Sequence, residues 1–193
     1  EWNSQGRIQG HTDIGLSDKG VEQSRRLAKR LSSLSIDVAY CSDLKRTSET
    51  AKFALGERDI LLNETTRLRE YHKGAYEGLT FSEIKARFPG EYHRYTEKDL
   101  DYAPEGGETA RNVSARMADI FGEIKAKHLN QTVLVVGHGG SLRAGMVALL
   151  GMPLEGNWSF VFRNCGLTIV DTHEDNAVLR LFNDTSHLDG IAP

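Results

Sequence analysis

Between positions 108 and 127 apolar residues return on a helical period. Val113, Met117, Ile120, Phe121 and Ile124 fall at steps of four, three, one and three, a single stripe that predicts a helix. Directly after it, residues 132–136 form the run Thr-Val-Leu-Val-Val, which lacks polar alternation and suits a central strand covered on both faces. A helix is expected from about 141 to 150. Earlier in the chain, Ser17 is a good N-cap for a helix to about residue 33, with Val21, Leu27, Ala28 and Leu31 on its buried face. Residues 36–41 read as a short buried strand, 43–55 as a helix and 60–64 as another strand. Thr80-Phe81-Ser82-Glu83 is a capping box, opening a helix that ends at Phe88 before Pro89. Two closing strands, 166–171 and 177–182, flank Glu174, Asp175 and Asn176 and read as an antiparallel hairpin. Strands alternating with helices predict an α/β fold, a three-layer α/β/α sandwich with a mixed, mostly parallel sheet. The stretch 98–108, with Pro104, Gly106 and Gly107, reads as a loop inside one domain spanning 1–193.

Composition narrows the partners more than the fold. At 193 residues, 39% hydrophobic and 26% charged, the chain has the make-up of an ordinary globular domain. The net charge of −3 is spread along the chain, so no nucleic acid and no membrane are expected as partners, and any anion site needs local positive charge. No apolar stretch approaches the roughly 20 residues of a membrane-spanning helix, and no signal peptide is visible. Cys41 and Cys165 match no zinc spacing and sit in apolar surroundings, so reduced thiols and a cytoplasmic setting are expected.

Four segments are candidates for chemistry. Val135-Val136-Gly137-His138-Gly139-Gly140 ends a buried strand in a glycine-flanked histidine with a helix beginning right after. Ligands of open α/β sheets bind beyond the carboxyl ends of strands, and a helix N-terminus there offers free N–H groups to an anion. His138 is thus placed to meet one; the blander reading is a turn histidine satisfied by its own backbone. Arg46 follows the strand ending at Cys41, and a guanidinium can clamp a phosphate through two hydrogen bonds. Taken alone it reads first as a surface arginine paired with Asp43 or Glu49. Glu70, in Leu68-Arg69-Glu70-Tyr71, could stay protonated if partly buried and act as a general acid. Glu77 competes for that role, and the bland alternative is a solvated charged loop. The opening, with Asn3, Gln9 and Gly10, is a polar loop able to donate to phosphate oxygens. His11, His72, His93, His128, His173 and His187 show no metal-ligand pairing, and there is no Walker loop, dinucleotide fingerprint or nucleophile elbow.

Read in order, these segments resemble the histidine phosphatase superfamily, the phosphoglycerate-mutase-like proteins. The resemblance is carried by Trp2-Asn3, Gly6-Arg7-Ile8-Gln9-Gly10, Leu16 to Gly20, Ser42 to Ala51, Leu68 to Gly78, Gly137 to Gly140 and Asn183 to Leu188. It implies that Arg46 holds a phosphoryl group, that His138 stabilises its transition-state charge and that Glu70 protonates the leaving alkoxide. Asn3, Gln9, Gly10 and Gly139 would line the substrate end, with no metal and no cofactor. The nucleophile it implies is the histidine of an Arg-His-Gly-Glu-Thr segment that this sequence does not contain; the resemblance puts it on a central strand ending just before or at Glu1. Only about thirty residues separate Gly78 from Glu108, and Gly106-Gly107-Glu108 resembles the phosphatase branch. The expected function is therefore a metal-independent phosphomonoesterase of a small phosphorylated metabolite, working through phosphohistidine. Tyr71, His72, Lys73, Tyr76, Tyr92, Tyr95 and Tyr102 are candidates for shaping substrate choice. A phosphoglycerate mutase and a non-catalytic phosphate-ester binding protein stay as alternatives, and a homodimer stays open.

Overall fold

A strand made wholly of buried residues needs partners on both edges and cover on both faces, and β1 (Val38–Ser42) has all of these. The structure, a computed structural model, describes residues 2, 3 and 5–191; Glu1 and Ser4 of the opening loop lie outside the described residues. β1 pairs in parallel with β2 (Leu62–Thr65) on one side and β3 (Val133–Val136) on the other. Val38, Tyr40, Val133 and Val135 face α5 (Ala110–Lys127) and α6 (Gly139–Leu149). Leu134, on the other face, joins Leu27 and Leu31 of α1 (Asp18–Leu31) and Ala54 of α2 (Lys45–Leu55). This is the expected layering of helices on both faces of a parallel sheet. The α5 stripe is buried at all five predicted positions, each worth about 1.5–3 kcal/mol of transfer free energy.

Among the described residues β1 pairs on both edges, whereas β3 pairs with β1 alone and is half-buried. The closing hairpin, β4 (Leu167–Thr172) and β5 (Ala177–Asp184), is antiparallel as expected, but it forms a two-stranded sheet of its own. Parallel and antiparallel pairing are thus both present among the described residues. Leu167, Ile169 and Leu181 still pack the hairpin onto the α1–α2 side.

The remaining elements frame the crevice. Thr80 and Glu83 form the predicted capping box of α3 (Phe81–Arg87). Pro89 ends that helix but also starts α4 (Pro89–Thr96), which the sequence reading lacked; proline is well suited to a first helical position because its missing N–H is not needed there. The opening loop is tied to the segment before α3. Ile8 N–H donates to Leu79 O at 2.9 Å, Gly78 N–H donates to Ile8 O at 2.8 Å, and Arg7 donates to Gly78 O and Glu83.

Candidate active site

All three parallel strands run their carboxyl ends into one crevice, and each delivers one of the predicted side chains. β1 leads through Ser42 to Arg46 in the first turn of α2. β3 leads through Gly137 to His138, the N-cap residue of α6. β2 leads through a 3-10 turn, Thr66–Leu68, to Glu70. Arg46 Nε donates to His138 Nδ1 at 3.1 Å, and its other nitrogens donate to Thr12 O at 3.0 Å and Gly10 O at 2.8 Å. The acids that might have claimed it are engaged elsewhere: Asp43 takes a two-pronged ion pair from Arg69, and Glu49 accepts from Leu16 N–H at 2.8 Å. Burial pulls the Arg46 pKa down, opposed by Glu70, Asp13 and Glu77. Arg46 is thus a half-buried cation with no ion-pair partner among the described residues, a setting that favours an incoming anion.

The Arg46 contact also decides the protonation of His138. A guanidinium can only donate, so Nδ1 accepts and the neutral ring carries its proton on Nε2. That Nε2 is buried and has no hydrogen-bond partner. Burial holds the His138 pKa down to about 3, against the pull of Glu70, so the ring is neutral at ordinary pH. His138 is therefore an unspent N–H donor aimed by an arginine, suited to a phosphoryl oxygen and not to nucleophilic attack.

Glu70 closes the third side. Its carboxylate accepts from Gly140 N–H and Ser141 N–H, both at 2.9 Å, so it caps the N-terminus of α6, and from its neighbour Tyr71 N–H at 2.9 Å. A Cβ at position 140 would lie 2.3 Å from Glu70 Oε1, so glycine is required for this approach. Burial works to raise the Glu70 pKa. The N–H groups of Gly140 and Tyr71 and the Lys73 ammonium oppose it, and the group lies below the ordinary glutamate range. The expectation of a resting protonated acid is corrected here: without an anion in the crevice, Glu70 is ionised, because the helix terminus supplies charge compensation that burial alone would deny it.

Glu77 is engaged by the opening loop. It accepts from His11 N–H and Thr12 Oγ1–H, each at 2.7 Å, and from Lys73 N–H at 3.1 Å, riveting residues 10–12 to the Glu70 loop. Gly10, at φ +54°, leaves room for that rivet; a Cβ there would sit 2.1 Å from Glu77 Oε1. Gln9 is half-buried beside it and Gly139 opens α6. Asn3 is exposed in the opening turn, and no hydrogen bond joins its side chain to Arg46, Glu70 or His138 among the described residues. Among the described residues no three His, Cys, Asp or Glu side chains converge as a metal site.

Two supporting residues escaped the sequence reading. Arg116, on α5, donates to the carbonyls of Arg67 (3.0 Å), Arg69 (2.8 Å) and Glu70 (2.9 Å) while both its arms meet Glu108 at 2.9 Å. His11 Nε2 meets the Glu70 carbonyl at 2.8 Å. Neither lies in sequence near Glu70, and no local pattern marks them; only Glu108 had a cue, in its Gly-Gly-Glu setting.

The chain matches known proteins over nearly its whole length. The family model described as histidine phosphatase superfamily (branch 1) matches residues 1–185. The chain is 35% identical over 188 residues to phosphoserine phosphatase 1 of Hydrogenobacter thermophilus, covering 97% of this chain and 89% of that protein. It is 31% identical to a metal-independent phosphoserine phosphatase of Arabidopsis thaliana, over 98% of this chain and 79% of that one. Among solved structures, Bacillus stearothermophilus YhfR superposes with a TM-score of 0.91 at 33% identity, covering 98% of this chain and 94% of that chain.

Proposed function

The chain belongs to the histidine phosphatase superfamily, and from that premise we propose that Arg46, His138 and Glu70 are the working parts of its phosphoryl-transfer site. It is a phosphomonoesterase of small phosphorylated metabolites. The observation that carries the assignment is the Arg46–His138 pair facing the Glu70-capped N-terminus of α6. Arg46 and the His138 Nε2–H hold the phosphoryl oxygens, and their donors strengthen as charge builds in the transition state. The nucleophile in this reading is a histidine of the Arg-His-Gly segment that the family resemblance puts ahead of Glu1. Its ring nitrogen bonds to phosphorus as the ester P–O bond breaks, and Glu70 gives its proton to the leaving alkoxide. Water, deprotonated by Glu70, then releases phosphate from the phosphohistidine. The free thiol of Cys41, pushed up to about 12 by burial, is inert and fits the cytoplasmic setting we propose.

The test is phosphate release from small phosphomonoesters by the purified protein in excess chelator, with acid-labile, alkali-stable label trapped on the protein by rapid quench. His138→Ala is expected to lower kcat/KM by about 100-fold or more. Full activity in that variant would remove His138 from the site, and an unlabelled protein that still turns over would remove the phosphohistidine.

A further inference from the structure

Residues 10–12 of the opening loop lie between the two halves of the site. The carbonyls of Gly10 and Thr12 accept from Arg46 at 2.8 and 3.0 Å, so the loop grips the guanidinium assigned to the phosphoryl group. His11, between them, faces the Glu70–Glu77 segment instead. Its N–H donates to Glu77 Oε1 at 2.7 Å, and its ring Nε2 meets the Glu70 carbonyl at 2.8 Å. A carbonyl can only accept, so Nε2 carries the proton. Burial lowers the His11 pKa against the pull of that carbonyl, so the ring is neutral and this N–H is its one donor.

The ring is held as well as aimed. It lies edge-on to the His72 ring, with centroids 4.6 Å apart, and His72 N–H donates to Glu108 Oε2 at 2.8 Å. Glu108 takes both arms of Arg116, which donates to the same Glu70 carbonyl at 2.9 Å. The two donors to residue 70 differ in what they join. Arg116 ties it to α5, whereas His11 ties it to the loop that grips Arg46. Glu77 anchors that loop too, but to Lys73 N–H; among the described residues His11 is the side chain whose hydrogen bond reaches residue 70 itself. The Glu70 carboxylate is already fixed to the His138 side through the N-terminus of α6. The His11 contact supplies the matching tie to the Arg46 side.

We infer that His11 is a positioning residue: its Nε2–H fixes Glu70 to the loop that holds Arg46, so that the proton donor and the phosphoryl clamp keep one spacing. Proton transfer to a leaving oxygen depends on that spacing, and a misplacement of about 1 Å costs on the order of 100-fold. This inference rests on the phosphomonoesterase reading and adds to it a residue that acts through Glu70.

The test compares His11→Leu, which removes the donor and keeps bulk, with His11→Gln, whose amide restores an N–H at similar reach. Two esters separate positioning from folding: glycerol 3-phosphate, whose alkoxide needs a proton to leave, and p-nitrophenyl phosphate, whose phenolate does not. His11→Leu is expected to lower kcat by about 30-fold on the first and by under about 3-fold on the second, with calorimetric affinity for inorganic phosphate within about 2-fold of native. His11→Gln is expected to bring kcat on glycerol 3-phosphate back to within about 5-fold of native. Equal losses on both esters, a Gln variant no better than Leu, or phosphate affinity that falls with kcat overturns the assignment. Amide exchange supplies a readout that needs no turnover: the Gly140 and Ser141 N–H groups that Glu70 caps should exchange at least about 10-fold faster in His11→Leu. If the native protein cleaves neither ester, the phosphatase reading fails on its own, and unchanged exchange at Gly140 and Ser141 then overturns the positioning role.

Discussion

Glu70 shows how one residue's neighbours can reverse what burial suggests. A buried carboxyl is expected to be neutral, yet this one is ionised because it borrows the N–H groups of Gly140 and Ser141. Those same donors, with Arg46 and the free Nε2–H of His138, are what a phosphate dianion would seek. When the dianion binds, Glu70 is left beside two negative charges, and its pKa must rise. The acid is then charged with its proton by the substrate itself. The expected outcome is uptake of up to one proton on binding inorganic phosphate at pH 8, where the free ion is already mostly the dianion and brings no proton of its own, read as the dependence of calorimetric heat on buffer ionisation enthalpy. Glu70→Gln should abolish most of that uptake; uptake unchanged in the variant would assign the proton to another group. The residue-scale chemistry of Arg46 and His138 was legible because glycines and strand ends flag a crevice. The charge state of Glu70 was not, since it depends on a helix terminus 70 positions away.

At the scale of elements, α5 does two jobs from its two faces. Its apolar stripe was plain in the sequence, since it repeats on the helical period and is buried at every predicted position. Its polar flank carries Arg116, which gathers three carbonyls of the Glu70 loop and locks them to Glu108. Lysine cannot reproduce a fork that serves four partners, so Arg116→Lys should loosen the acid without touching Arg46 or His138. The loss is expected to follow the leaving group: about 100-fold in kcat for an alkyl phosphate, which needs a proton, and under about 10-fold for p-nitrophenyl phosphate, which does not. Equal losses for both would mean that Arg116 serves only the fold. This flank was illegible because its partners lie 46 to 49 residues away in the chain. The helix α4 was missed for a different reason: Pro89 was read only as a stop, although the same fixed φ and missing N–H that end one helix suit the first position of the next. The register of capping residues, by contrast, was read directly, Ser17 and Thr80 each accepting from the expected N–H.

The layered order of the whole molecule follows from alternation of strand and helix, but strand order does not, because β1 and β3 are both apolar and only pairing separates them among the described residues. The molecule as a whole also inherits a pH sensitivity from its site. His138 is 7% exposed and held neutral down to about pH 3, and His11 is shifted the same way, chiefly by burial. In the unfolded chain both take up protons near pH 6.5. As pH falls below that value, the unfolded state binds protons the native state refuses, so stability declines. For His138 alone the slope approaches about 1.4 kcal/mol per pH unit, or about 2–3 kcal/mol lost by pH 4.5. The carboxylates with lowered pKa, Glu70, Glu77 and Glu108, act lower down: their contribution is intact above about 4.5 and is lost only beneath it. The interval from 6.5 to 4.5 therefore belongs to the buried histidines. Urea denaturation midpoints without phosphate should be flat from pH 8 to 7 and fall steadily from 6.5 to 4.5, and His138→Gln should flatten most of that fall. A midpoint that holds constant to pH 5, or a variant with the native slope, would mean that His138 accepts a proton in the folded state, and with it that the neutral Nε2–H donor assigned to the phosphoryl group is wrong.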